Sequence, residues 1–127
     1  MRFTGTSRAA GREAMRERQR RGRTATLAMR DRYPALSSLQ IDFDFSDQGE
    51  FVPSPQVTVL HPPARAYFCF ACPYGDCDGD FDLTQAVDLA VSSGESLSRG
   101  QVHCAGKRHR GVACTLCLGY TVTPNRP

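Results

Sequence analysis

Between residues 39 and 45 the chain alternates strictly: Leu39, Ile41, Phe43 and Phe45 are separated by Gln40, Asp42 and Asp44. Successive strand residues point to opposite faces, so this segment reads as a half-buried strand. Ser46-Asp47-Gln48-Gly49 reads as a turn. Pro53 and Pro55 mark a loop, and Val57 and Val59 a short strand. Pro62-Pro63 breaks the chain before a third strand over 64–71, with Ala64, Ala66, Phe68 and Phe70 on one face. The period then changes. Leu83, Ala86, Val87, Ala90 and Val91 recur at helical spacing and predict an amphipathic helix over 83–92. Asp82 is its N-cap, Gln85 completes a capping-box spacing, and Gly94 stops it. Two strands follow, near 101–105 and 112–122, joined by a basic turn from Gly106 to Gly111. On the last strand Val112, Leu116, Leu118, Tyr120 and Val122 share a face.

The N-terminal stretch has no such stripe. Residues 8–21 are good helix formers, but Ala9, Ala10, Ala14 and Met15 are too small or too few to dock on a core. A solvated, frayed helix or a disordered arm is expected. A second short helical stretch, 24–32, carries Leu27, Ala28 and Met29 and ends at Pro34. The organisation that follows is a basic arm or exposed helix over 1–32, an α+β domain over 33–123, and a tail over 124–127. The fold class is α+β, a small antiparallel sheet with one amphipathic helix.

Composition sharpens this picture in two places. With 127 residues the chain suits one small domain, and it has no apolar run near the ~18 residues of a membrane helix. Residues 1–32 hold ten of the sixteen basic residues and three of the thirteen acidic ones, so a basic arm precedes a mildly acidic domain. The Arg-rich start lacks the apolar core of a secretory signal, which makes a cytoplasmic location the expectation. Six cysteines in that setting read as thiols or metal ligands rather than as three disulfides.

The cysteines fall into two groups, Cys69, Cys72 and Cys77, then Cys104, Cys114 and Cys117. Structural zinc takes four thiolate or imidazole ligands, usually from two short loops. Strand parity favours Cys72, Cys77, Cys104 and Cys114, because Cys72 continues the face of Phe68 and Phe70, and Cys114 shares the face of Leu116 and Leu118. The rival set is a pair of Cys-x-x-Cys knuckles, Cys69/Cys72 with Cys114/Cys117, and it stays open, since knuckles distort parity. An iron–sulfur cluster is the alternative cofactor, as four thiolates suit it too. His61, His103 and His109 read as exposed residues.

The run Phe70-x-Cys72-Pro73-x-x-x-Cys77-x-x-x-Phe81, followed by a helix, resembles the first half of a two-Cys, two-His zinc finger. The resemblance implies a zinc knuckle on a β-turn, with the aromatic packed under the helix. The helix over 83–92 has no His, so the remaining ligands must come from elsewhere, with Cys104 and Cys114 as the source. The family's base-reading positions have no counterpart here. In outline the domain resembles a zinc-ribbon or treble-clef-like module.

Other chemistry is poorly supported. Asp76, Asp78, Asp80 and Asp82 alternate, but Phe81 and Val87 stand where a calcium-binding EF-hand loop needs Gly and Glu. They read instead as a solvated acidic turn with a helix cap. A redox role for Cys69-x-x-Cys72 needs a helix starting at the motif, and Pro73 and Gly75 oppose one. No nucleophile–base constellation is identifiable, so a non-enzymatic protein is expected. Arg12, Arg16, Arg18, Arg20, Arg21 and Arg23 on the arm, with Lys107, Arg108 and Arg110 on the turn, are the candidate nucleic-acid contacts. The alternative is a protein-interaction adaptor, with the arm meeting an acidic partner.

Overall fold

The computed structural model describes residues 4–127, apart from the side chains of residues 4–9 and 55. Helix α1 spans Thr4–Ala25 and the short α2 Met29–Arg32. Strands β1 (Ser38–Asp47) and β2 (Glu50–Leu60) form a hairpin. Next come β3 (Cys69–Ala71), β4 (Asp80–Asp82) and α3 (Thr84–Ser92). Strand β5 (Ser98–His103), a 3-10 turn (His109–Gly111) and β6 (Leu116–Asn125) complete the order. The result is an α+β fold with an antiparallel four-stranded sheet, order β2-β1-β6-β5, and a separate β3–β4 pair.

The alternation along β1 sorts the sheet. Leu39, Ile41, Phe43 and Phe45 are buried, and β6 sets Pro124, Val122, Tyr120 and Leu118 directly opposite them. Leu83 at the N-cap of α3, with Val87 and Ala90 within the helix, covers this face together with Phe68 and Phe81. Two edge-on or tilted aromatic pairs fasten the small hairpin to the sheet: Phe43–Phe70 at 4.7 Å and Phe45–Phe81 at 6.1 Å. The N-cap of α3 is Leu83 rather than the expected Asp82; Asp82, one residue earlier, accepts hydrogen bonds from the Thr84 N–H (3.0 Å) and hydroxyl (2.6 Å) and so fixes the entry to the helix.

Several elements differ from the sequence expectation. Pro53 and Pro55 lie within β2, where the register slips between Phe43 and Phe45. An edge strand tolerates proline, because one side of its ladder has no partner to lose. The strand expected over 64–71 shrinks to Cys69–Ala71, since residues 64–66 instead bond to the segment after α1. The Met29 N–H donates to Ala64 O (2.7 Å) and the Ala66 N–H to Leu27 O (2.8 Å). Val112 is exposed and lies in the loop before β6. The expected tail is paired through Asn125, whose carbonyl accepts from the Ser37 N–H at 2.8 Å.

The largest difference is at the N-terminus. Helix α1 is docked, although it has no apolar stripe. Met15 is its single fully buried apolar anchor (0% exposed) among the described side chains, and the Tyr67 ring packs against the helix at Gly22, with the Arg23 guanidinium 5.5 Å from the ring centroid. Arg18 reaches Asp80 at 3.5 Å. One buried side chain plus polar contacts replaces the hydrophobic face that periodicity looks for. Ala9, one of the arm's few apolar residues, lies outside the described side chains.

Truncating a buried methionine costs about 2–5 kcal/mol. Met15→Ala should therefore lower stability by an amount in that range in a urea or thermal melt, whereas a free arm would leave the melt unchanged.

Candidate metal centre

The β3–β4 hairpin and the loop between β5 and β6 each carry two of the six cysteines to one point. Cys72 follows β3, Cys77 precedes β4, Cys104 follows β5, and Cys114 precedes β6. Their sulfur atoms all lie within 4.8 Å of one another, and all four residues are buried. Cys77 Sγ stands 3.6 Å from Cys104 Sγ, and Cys72 Sγ stands 4.0 Å from Cys114 Sγ. A tetrahedron with metal–sulfur bonds of about 2.3 Å has edges of about 3.8 Å. The four thiols thus stand at the spacing that a single tetrahedral ion requires, and the group can hold one.

Both loops use the same local device. The Gly79 N–H donates to Cys77 Sγ at 3.3 Å, and the Gly106 N–H donates to Cys104 Sγ at 3.4 Å. The Cys72 N–H donates to Gly79 O (3.1 Å), and the Cys114 N–H to Gly106 O (3.0 Å). Each Cys-x-Gly turn thus points a backbone dipole at its own sulfur and ties down the loop's other cysteine. The glycines also set how close the loops come. A Cβ on Gly79 would lie 2.6 Å from Cys104 Sγ and 2.7 Å from Gly106 Cα, and one on Gly106 would lie 2.9 Å from Cys77 Sγ. No side chain fits between them.

Charged residues hold the loops together from outside. Asp78 accepts from the Lys107 N–H at 2.7 Å, while the Asp78 N–H donates to Lys107 O at 3.2 Å. Asp76 accepts from Arg108 Nε at 2.9 Å and from the His109 N–H at 3.0 Å. These two bonds hold the Asp76 carboxyl below its ordinary range, the backbone bond to His109 contributing most. The Arg108 guanidinium lies 4.1 Å from the centroid of the Tyr74 ring. The Tyr74 hydroxyl in turn donates to Asp47 at 2.5 Å. Asp76 and Asp78 are therefore cross-braces between the two loops. In sequence they read as a solvated turn, because their partners are backbone N–H groups about thirty residues away.

Burial sets the chemistry of the thiols. It pushes the Cys72 thiol up strongly and the Cys104 thiol up to about 12. Such thiols stay protonated at neutral pH until an ion displaces the protons, so uptake of metal would release protons. Burial beside Asp80 likewise pushes Cys69 up to about 12, which makes it a poor nucleophile.

Of the sequence candidates, Cys72, Cys77, Cys104 and Cys114 are brought together. Cys69 pairs with Asp82 across β3–β4, and Cys117 pairs with Ser46 and His103 in the main sheet, so both lie outside the group. The basic candidates divide. Arg12 Nη1 donates to the carbonyls of Cys72 (3.1 Å), Tyr74 (3.1 Å) and Cys77 (2.7 Å), inside the fold. Arg108 is committed to Asp76 and Tyr74, and Arg18 to Asp80. Arg16 pairs with Glu13, and Arg20 and Arg21 with Glu17, on the solvent side of α1. Arg110 is exposed on the 3-10 turn, at a left-handed φ of 61°. Gly79, Gly106, Asp76 and Asp78 join the site although none is a ligand type that thiol spacing singles out. The repeated Cys-x-Gly is the sequence signal that points to the glycines.

No protein-family model, curated protein or solved structure matches the chain.

Gly106→Ala should force the loops apart, lower metal content at limiting metal and cost about 1–3 kcal/mol of stability. Metal titration with a thermal melt checks this. Hydrogen bonding to Asp47, with burial, pushes Tyr74 up to about 12. Its contribution is fully present below its unfolded value near 10 and is lost as pH rises through 12. Tyr74→Phe should therefore flatten the decline of stability between about pH 10 and 12 in pH-dependent melts.

Proposed function

We propose that the protein is a non-enzymatic zinc protein in which one ion, held by Cys72, Cys77, Cys104 and Cys114, staples the β3–β4 hairpin to the β5–β6 loop. The observation that carries this reading is the four-sulfur cluster at tetrahedral spacing, with two Cys-x-Gly turns aimed at it. Zinc suits four thiolates in a closed site with no open coordination position, which is the arrangement of structural centres. An iron–sulfur cluster interposes iron and sulfide between its thiolates and needs them set wider than 4.8 Å. The finger-like run from Phe70 to Phe81 supports the same reading, since Cys72 and Cys77 flank a turn between paired strands and Phe81 is buried beside α3.

The proposed partner is nucleic acid, bound through phosphates. Helix α1 packs beside the 3-10 turn, which draws the two basic segments of the sequence toward one another. Arg16, Arg20, Arg21 and Arg23 are exposed along α1, and Arg110 is exposed on the turn. An adaptor role is the second reading. It draws on the pairing of three of those arginines with Glu13 and Glu17, and on Phe51, Val57 and Val59 exposed along edge strand β2.

Protein purified without chelator should contain one equivalent of zinc, and its removal should markedly lower the melting temperature of the domain. Ser at Cys72, Cys77, Cys104 or Cys114 should abolish stoichiometric binding, while Ser at Cys69 or Cys117 should leave it intact. Elemental analysis with melts decides this, and a chain that takes up no zinc would refute the zinc reading. For the partner, filter binding of DNA and RNA at two salt concentrations should show affinity falling with salt. On duplex DNA the fall is about 0.9 log units per log unit of salt for each phosphate neutralised. No retention at low salt favours the adaptor.

A further inference from the structure

The Arg12 guanidinium reaches the candidate metal centre through the backbone of its first loop. One nitrogen, Nη1, donates to the carbonyls of Cys72, Tyr74 and Cys77. Those three oxygens come from both limbs of the Cys72-to-Cys77 turn, so they converge only while the turn is closed. Arg12 Nε is buried and has no acceptor among the described residues, and no carboxylate among them forms an ion pair with the side chain. The side chain is part-buried, so its charge is incompletely solvated there. Four thiolates around one divalent ion carry an excess of two negative charges, so a loaded centre would favour a cation held on this turn.

Met15 is the one fully buried apolar side chain of α1 among those described, and Arg18–Asp80 and the packing of Arg23 on Tyr67 lie at the surface. A helix with so little apolar surface depends on its strongest polar anchor. We propose that Arg12 makes the docking of α1 conditional on a loaded four-cysteine site, so that metal occupancy governs whether the basic helix is held or released. This rests on the zinc reading above and adds a regulated element to it. The coupling is reciprocal: whatever factor the ion contributes to helix docking, the docked helix returns to ion affinity. Arg12 is a positioning residue that acts through the carbonyls of the knuckle.

The test uses the full chain, with zinc as the probe and amide hydrogen exchange read by segment. In the zinc-loaded wild type, α1 and β1–β6 should both be protected. In zinc-loaded Arg12→Gln, β1–β6 should keep their protection, while exchange in α1 rises at least about tenfold and zinc affinity falls by a comparable factor. Arg12→Lys keeps the charge on a shorter side chain, and should recover part of the affinity and less of the helix protection. Cobalt substitution reports whether four thiolates still bind the ion in each variant, through the thiolate charge-transfer band. Equal α1 protection in loaded Arg12→Gln and loaded wild type overturns the proposal alone. A wild-type chain that takes up no zinc overturns both this proposal and the zinc reading. Loss of the cobalt band in Arg12→Gln shows that the residue builds the ligand set itself, which also overturns the proposal.

Discussion

Everything in this fold is arranged around one demand: two loops far apart in sequence must bring four buried sulfur atoms within 4.8 Å of each other. The loops approach so closely that Gly79 and Gly106 meet backbone to backbone. The sheet positions one loop, because Cys104 and Cys114 lie between β5 and β6. The aromatic pairs Phe43–Phe70 and Phe45–Phe81 position the other, because they seat the β3–β4 hairpin on that sheet. A domain of this size has room for only a modest core. A shared ion would therefore act as a cross-link between two subassemblies that otherwise touch through a limited apolar contact and a few ionic braces.

Those braces give the charged residues a different meaning from the one composition suggests. Asp76 and Asp78 on one loop meet backbone N–H groups of the other, and Arg108 stacks on Tyr74 while binding Asp76. Single exposed ion pairs contribute little. Here the acceptors also fix backbone groups, so the same charges define the geometry of the loops. The contrast between a basic start and an acidic domain is in part internal complementarity, with Arg12 and Arg18 turned toward the region that carries Asp76 to Asp82.

The sheet strands with strong alternation are legible in sequence, β1 above all, and so is α3, because burial on one face writes a period directly into the residues. Strand parity also separates Cys72 and Cys114 from Cys69 and Cys117 along the line that the sulfur positions follow. Parity holds there beyond the strand ends, since Cys114 precedes β6 and lies in a loop. Docking of α1 is illegible for a physical reason. Among the described side chains it draws on one buried methionine and on an arginine that binds three carbonyls, and neither leaves a periodic trace. The prolines of β2 mislead because local rules cannot tell an edge strand from a loop; only the sheet order makes that distinction.

The central pairing of the sheet joins residues at the two ends of the domain, Ser38 to Asn125 and Ile41 to Val122. During synthesis the β1–β2 hairpin can form early, since its contacts are local, but its inner edge has no neighbour until residue 125 has cleared the ribosome. Until then Leu39, Ile41, Phe43 and Phe45 remain uncovered on one side, and the earlier cysteines wait without Cys104 and Cys114. The nascent chain therefore passes through a stage that is both sticky and rich in free thiols. Pro53 and Pro55 on the outer strand interrupt the ladder that another nascent chain would use to add on, and so guard the hairpin during that interval.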